Sequence, residues 1–180
     1  MDCWMCDAPA DTAEHKIKKS LLVKIHGNGP YTGANAVSHV RDGEVRNLQG
    51  PGSELVKYRK CLCSSCNNDR SQPFDRAYDE FFQYVISREA EIVERRVIDF
   101  ADVYGASSFP REQTNLYKYF VKLFGCDLSS HCLPVPQDLK QLLDEQHFKT
   151  RLRVTFAVNE DKLLFGGAQH CPVGIGEMNF

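Results

Sequence analysis

A chain of 180 residues, 42% hydrophobic and 26% charged, suits one globular domain, or one with a small appendage, and excludes wholesale disorder. A net charge of -2 argues against a basic protein that coats nucleic acid, though a local basic patch is compatible with it. The longest apolar runs, such as Tyr119–Val121 and Leu163–Phe165, are far too short to span a bilayer. The opening Met1-Asp2-Cys3-Trp4 shows neither the basic nor the apolar stretch of a secretory signal, so the expected home is the reducing cytoplasm, away from membranes.

The first 70 residues carry few long apolar periodicities. Residues 24–53 are rich in Gly, Asn and Ser and read as short strands between turns, with Arg41-Asp42-Gly43-Glu44 as a hairpin turn. After Cys66 the pattern changes. Pro73 can open a helix with Ser71 as its cap, and Phe74, Ala77, Tyr78, Phe81, Phe82, Val85 and Ile86 recur at helical spacing. This helix is expected to reach Arg88 and to be able to continue toward Val97. A break follows at Gly105-Ala106-Ser107-Ser108-Phe109-Pro110. A second helix is expected over Arg111–Phe124, with Gly125 as its stop. Pro134 and Pro136 precede a third, short helix carrying Leu139, Leu142 and Leu143. The alternation in Leu152–Phe156 predicts a strand, with Lys162–Phe165 as its hairpin partner. Residues 1–100 and 101–180 form the expected division. Residues 1–70 hold 10 Lys/Arg against 8 Asp/Glu, and the rest 12 against 16.

Eight cysteines is a high count, and their spacing matters more than their number. Cys3 and Cys6 form one CxxC, and Cys63 and Cys66 another. Two distant CxxC pairs suit a four-thiolate zinc site, each pair supplied by a tight turn. The rival reading is a redox dithiol, which should follow a buried strand and open a long helix; Cys3 lacks that context. His131-Cys132 and His170-Cys171 offer a second metal site, but neither has ligand-pair spacing within itself, and buried free thiols are the expected reading.

Between the pairs lies Glu14-His15-Lys16-Ile17-Lys18-Lys19-Ser20, and directly after the second comes Asn67-Asn68-Asp69-Arg70. A CxxC, an acidic-His dipeptide, and a second CxxC followed at once by Asn resemble the zinc-stapled branch of the HNH endonucleases, the ββα-metal or His-Me finger family. The likeness covers roughly residues 3–80 and extends to a group of small bacterial and phage HNH-like proteins. It implies an α+β fold in which a zinc-stapled ββα finger runs into a long helix, a mainly helical segment and a C-terminal β-hairpin. It implies a structural zinc on Cys3, Cys6, Cys63 and Cys66. It further implies His15 as general base and Glu14 and Asn67 as ligands of one catalytic Mg²⁺ or Mn²⁺, with DNA as substrate. A neutral imidazole suits that chemistry because its pKa lies near ambient pH, and a hard divalent ion stabilises charge on the phosphate.

Three positions depart from the family pattern. Glu14 stands where Asp is usual, Leu55–Lys60 holds no central Asn, and no Pro follows His15 closely. A second reading is therefore a non-catalytic zinc module on an HNH scaffold, binding nucleic acid or a protein partner, as a phage- or defence-related inhibitor would. His15 is alternatively a histidine beside a zinc site, and Asn67 a helix cap. Lys16, Lys18, Lys19, Lys57, Arg59 and Lys60 either grip phosphate or form a solvated face.

Overall fold

The structure, a computed structural model, describes residues 1–41, 43–144, 150 and 152–158. Its elements run β1 (Thr12–His15), α1 (Lys19–His26), β2 (Ser38–Arg41), β3 (Glu44–Asn47), β4 (Lys57–Leu62), α2 (Gln72–Ser87), α3 (Glu89–Arg95), α4 (Phe100–Tyr104), α5 (Phe109–Ser130) and α6 (Gln137–Leu142). The fold is α+β, with two small antiparallel sheets. β2 pairs with β3 in a hairpin around the expected turn, and β1 pairs with β4 across the long excursion between them. The β1–β4 register, Thr12↔Leu62, Ala13↔Lys60 and His15↔Lys57, is irregular. A π-helical turn, Ser65–Arg70, joins β4 to α2. No helix among the described residues is long and apolar enough to cross a membrane.

The principal packing is α2 against α5. The apolar stripe read from the sequence is buried along α2: Phe74, Ala77, Tyr78, Phe81, Phe82 and Val85. Tyr78 stacks on Tyr119 of α5 with centroids 4.1 Å apart, and the Tyr104 hydroxyl of α4 donates to the Ala77 carbonyl. The core thus draws on side chains from both sides of residue 100 and reaches back to Cys3, Trp4 and Met5. A smaller cluster of Leu22, Tyr31, Leu48 and Val56 packs beneath the excursion. Helix α1, absent from the turn-rich reading of the first 70 residues, buries Leu21 in the main core and Leu22 in the smaller one.

Burial pushes the Tyr78 phenol up to about 12. Its folded pKa exceeds the usual value near 10, so the stability it contributes is fully present below about pH 10. That contribution declines as pH rises toward 12, because the unfolded chain releases the proton first. The difference between the folded and the unfolded phenol corresponds to about 3 kcal/mol. Denaturation curves between pH 9 and 12 should show stability falling over that window, with tyrosinate absorbance appearing alongside unfolding. Replacing Tyr78 with Phe should make the decline shallower, leaving the part due to the Tyr58, Tyr104 and Tyr119 phenols, which burial raises as well.

Several local expectations change. Ser71 sits at the α2 boundary but its hydroxyl caps no helical N–H; it donates to the Asn67 carbonyl at 2.7 Å. The run after Arg88 continues as α3 after a break, with Arg96 in the left-handed region at its end. Leu152–Phe156 is irregular rather than a strand. Its alternation serves docking instead: the Leu152 carbonyl accepts from the Tyr117 hydroxyl, and Phe156 packs on Phe81 and Phe120. Lys162–Phe165 lies outside the described residues.

Helix α5 starts at Phe109 and runs through Gly125 to Ser130, so Gly125 is no stop. It is the point where α5 passes under the Trp4 indole. A Cβ there would lie 2.6 Å from Trp4 Cε2 and 2.7 Å from Cη2. Gly125→Ala would gain about 1 kcal/mol of helix propensity. Overpacking against a buried aromatic ring costs about 1–3 kcal/mol and here meets a ring anchored between two cysteines, so the clash wins. A denaturant midpoint lowered by Gly125→Ala is the expected result; an unchanged or raised midpoint contradicts this packing.

Candidate functional site

The first cysteine pair is a tight turn. The Cys3 carbonyl accepts from the N–H of Cys6 at 3.3 Å and of Asp7 at 2.8 Å, with Asp7 at φ +60°. The Trp4 N–H donates to the Cys61 carbonyl at 3.1 Å, tying this turn to β4. Strand β4 ends at Leu62, and the second pair follows at once. There the Cys66 N–H points at Cys63 Sγ at 3.4 Å, and Asn67 N–H donates to the Cys63 carbonyl. The sulfurs of Cys3, Cys6, Cys63 and Cys66 all lie within 4.8 Å of one another, with Cys6 and Cys63 at 3.6 Å. A tetrahedral ion with metal–sulfur bonds of about 2.3 Å sets its sulfurs about 3.8 Å apart. The donor set and spacing therefore fit a closed four-sulfur metal centre.

The Cys66 N–H draws the Cys63 thiol down to about 7, while burial pushes the Cys66 thiol up. Arg70 borders the centre, with its guanidinium 3.9 Å from Cys66 Sγ, 3.3 Å from the Met5 carbonyl and 2.5 Å from Asp144. Cys132 lies apart, exposed, beside the Arg59 guanidinium at 3.6 Å, and the His131 ring meets the Asp127 carbonyl. His170-Cys171 lies outside the described residues.

Strand β1 carries the Glu14-His15 dipeptide, and its two side chains meet different surroundings. His15 is half-buried. Burial is the main cause that lowers its pKa, followed by the charges of Lys57 and Lys19; the Pro51 carbonyl works the other way. Nε2 is buried and has no hydrogen-bond partner. Among the described residues the other buried side-chain polar atom without a partner is Asn67 Oδ1. Asn67 lies inside the π-helical turn rather than at a helix cap.

Glu14 faces inward. Its Oε2 is 3.4 Å from Nζ of Lys122, a fully buried lysine of α5 that also lies 3.0 Å from Asp75 Oδ1. Burial raises the Glu14 pKa, the Lys122 charge opposes this, and Asp75 adds to it. The basic residues divide. Lys19 and Lys57 gather around His15, although Lys57 also pairs with Glu54 at 2.8 Å. Lys18 turns to α2, donating to the Asp75 carbonyl and to Asp79. Lys16 lies over the Tyr58 ring, Arg59 reaches Cys132, and Lys60 is exposed.

Sequence reasoning missed Lys122, Asp75, Ser71 and Pro51. Lys122 left a signal: a cation inside the apolar face of Tyr119–Phe124 implies a buried counter-charge. Pro51 left none, because its contribution is a backbone carbonyl. Comparison with known proteins returned no matching family model, no similar curated protein and no similar solved structure.

Proposed function

We propose that the chain is a zinc-stapled, metal-dependent nuclease of the HNH type, hydrolysing phosphodiester bonds in DNA. The observation that carries this reading is the pair of buried polar atoms without partners, His15 Nε2 and Asn67 Oδ1. Buried polar groups are nearly always hydrogen-bonded, and exceptions mark sites completed by something else. These two atoms belong to the residues that the resemblance nominates as base and metal ligand. Further support comes from the order of β1, β4 and α2, which is strand, strand, helix with the cysteine turn between the second strand and the helix.

In this reading zinc fills the four-sulfur centre and performs no chemistry, since four thiolates close its shell. His15 accepts the proton of the attacking water at Nε2, and the nearby Pro51 carbonyl favours the protonated ring. Asn67 Oδ1 and the Glu14 carboxylate, whose Oε2 lies 3.4 Å from Lys122 Nζ, suit a hard oxygen-seeking ion such as Mg²⁺ or Mn²⁺. Such an ion, when bound, supplies charge stabilisation at the phosphate and leaving oxygen. Lys19 and Lys57 flank the base and hold the backbone of the substrate.

The Glu14–Lys122 ion pair favours a second reading, because it partly neutralises the acidic ligand. In that reading the finger binds DNA or a protein without cutting. Incubating purified protein with supercoiled plasmid and Mg²⁺ or Mn²⁺ separates the two. Nicking that requires the divalent ion supports the nuclease; salt-dependent DNA binding without nicking overturns it in favour of a binding module. Absence of both leaves the protein-partner form of the second reading.

A further inference from the structure

Lys122 is a fully buried lysine, and it comes from α5, outside the stretch that resembles the HNH finger. Its side chain is 0% exposed. Nζ contacts Asp75 Oδ1 at 3.0 Å, Ser71 Oγ at 3.4 Å and Glu14 Oε2 at 3.4 Å, over the Tyr119 ring. Ser71 Oγ in turn donates to the Asn67 carbonyl at 2.7 Å and lies 3.3 Å from Asp75 Oδ2. One ammonium therefore touches the residue before His15 directly and the residue after Cys66 through one hydroxyl. β1 and the start of α2 carry these two arms, and the ammonium joins them.

We infer that Lys122 is a positioning residue for the proposed site, fixing Glu14 on β1 and, through Ser71, the backbone of Asn67. The inference rests on the nuclease reading. It gives the helical second half of the chain a part in the site, because α5 completes the finger's ligand geometry. Outer contacts of this kind orient ligating carboxylates, and their loss typically costs about 10–100-fold in metal affinity. An ammonium that acted only as a competitor for the divalent ion would have the opposite effect on removal, so the sign of the change is decisive.

The test is Mn²⁺ binding by isothermal titration calorimetry to the full chain with its zinc centre filled and no nucleic acid present. Lys122→Met should bind Mn²⁺ at least tenfold more weakly than the wild type. Combining it with Glu14→Gln should cost less than the sum of the two single changes, because the two share the Glu14 arm. Lys122→Met leaves two partly buried carboxylates without their cation and risks misfolding. The variant Lys122→Met/Asp75→Asn keeps the cluster's net charge and provides the comparison against Asp75→Asn alone, with the same loss expected. Unchanged or tighter Mn²⁺ binding in folded Lys122 variants overturns the positioning role. A wild-type protein that takes up no Mn²⁺ overturns the metal-dependent reading beneath it, a different and separately recognisable result.

Discussion

Cys66→Ser is expected to abolish binding of the tetrahedral ion and to lower the melting temperature by about 10–20 °C, for a loss of about 5 kcal/mol in a chain of this size. Structural zinc contributes about 10–16 kcal/mol of apparent binding energy in zinc-finger peptides, comparable to the whole stability of an ordinary domain. The smaller figure is expected here because α2 and α5 pack together independently of the thiolates. The segment that depends on the ion is the N-terminal one. Cys3 and Cys6 bracket Trp4, whose indole donates to Cys126 Sγ at 3.4 Å and packs on Gly125. Trp4 is the only tryptophan in the chain, so its emission reports that anchorage directly. Chelation with a strong zinc ligand, or Cys66→Ser, should shift the emission to the red while much of the helical circular dichroism persists. Cys132→Ser, at an exposed thiol away from the cluster, should change neither metal content nor emission. Protein purified without metal yet with the melting temperature and Trp4 emission of the metal-loaded form would show that no ion staples this fold.

The cysteine spacing was legible because each pair is local: a CxxC is a turn, and its chemistry follows from residue type alone. That the two turns meet is a long-range fact, carried by the irregular pairing of β1 with β4 and by the Trp4–Cys61 backbone bond. The aromatic stripe of α2 was legible for the same local reason. Gly125 was not. Glycine after a helical stripe ordinarily signals a stop, and the ring that demands a glycine there belongs to Trp4, at the other end of the chain. Helix α1 is short, and its apolar run Leu21-Leu22-Val23 with Ile25 fits a buried strand as well as a helix, while the alternation at Leu152–Phe156 suits one-sided docking on helices as well as a strand. Within the candidate site the bearing residues are named by their neighbours in sequence, whereas their electrostatic partners, Lys122 from α5 and the Pro51 carbonyl from the excursion, are supplied by tertiary structure.

Replacing His15 with alanine should reduce divalent-dependent plasmid cleavage by about 10²–10⁴-fold, the usual contribution of a positioned general base. The expectation depends on position rather than residue type. Nε2 is buried but unclaimed, and Lys19 and Lys57 lie close enough for their charges to act on the imidazole. A histidine that only braced the finger would have its buried nitrogen satisfied, since leaving it unpaired costs about 1–3 kcal/mol. His15→Ala removes that unpaired atom, so the melting temperature should change little and zinc content should stay at one ion per chain, because the thiolates are untouched. Loss of cleavage with stability and zinc retained is the signature of a base. Cleavage at the wild-type rate in that variant removes His15 from the mechanism and, with it, the functional meaning assigned to the two unpartnered atoms. Parallel loss of cleavage and of folding would instead make His15 a structural residue.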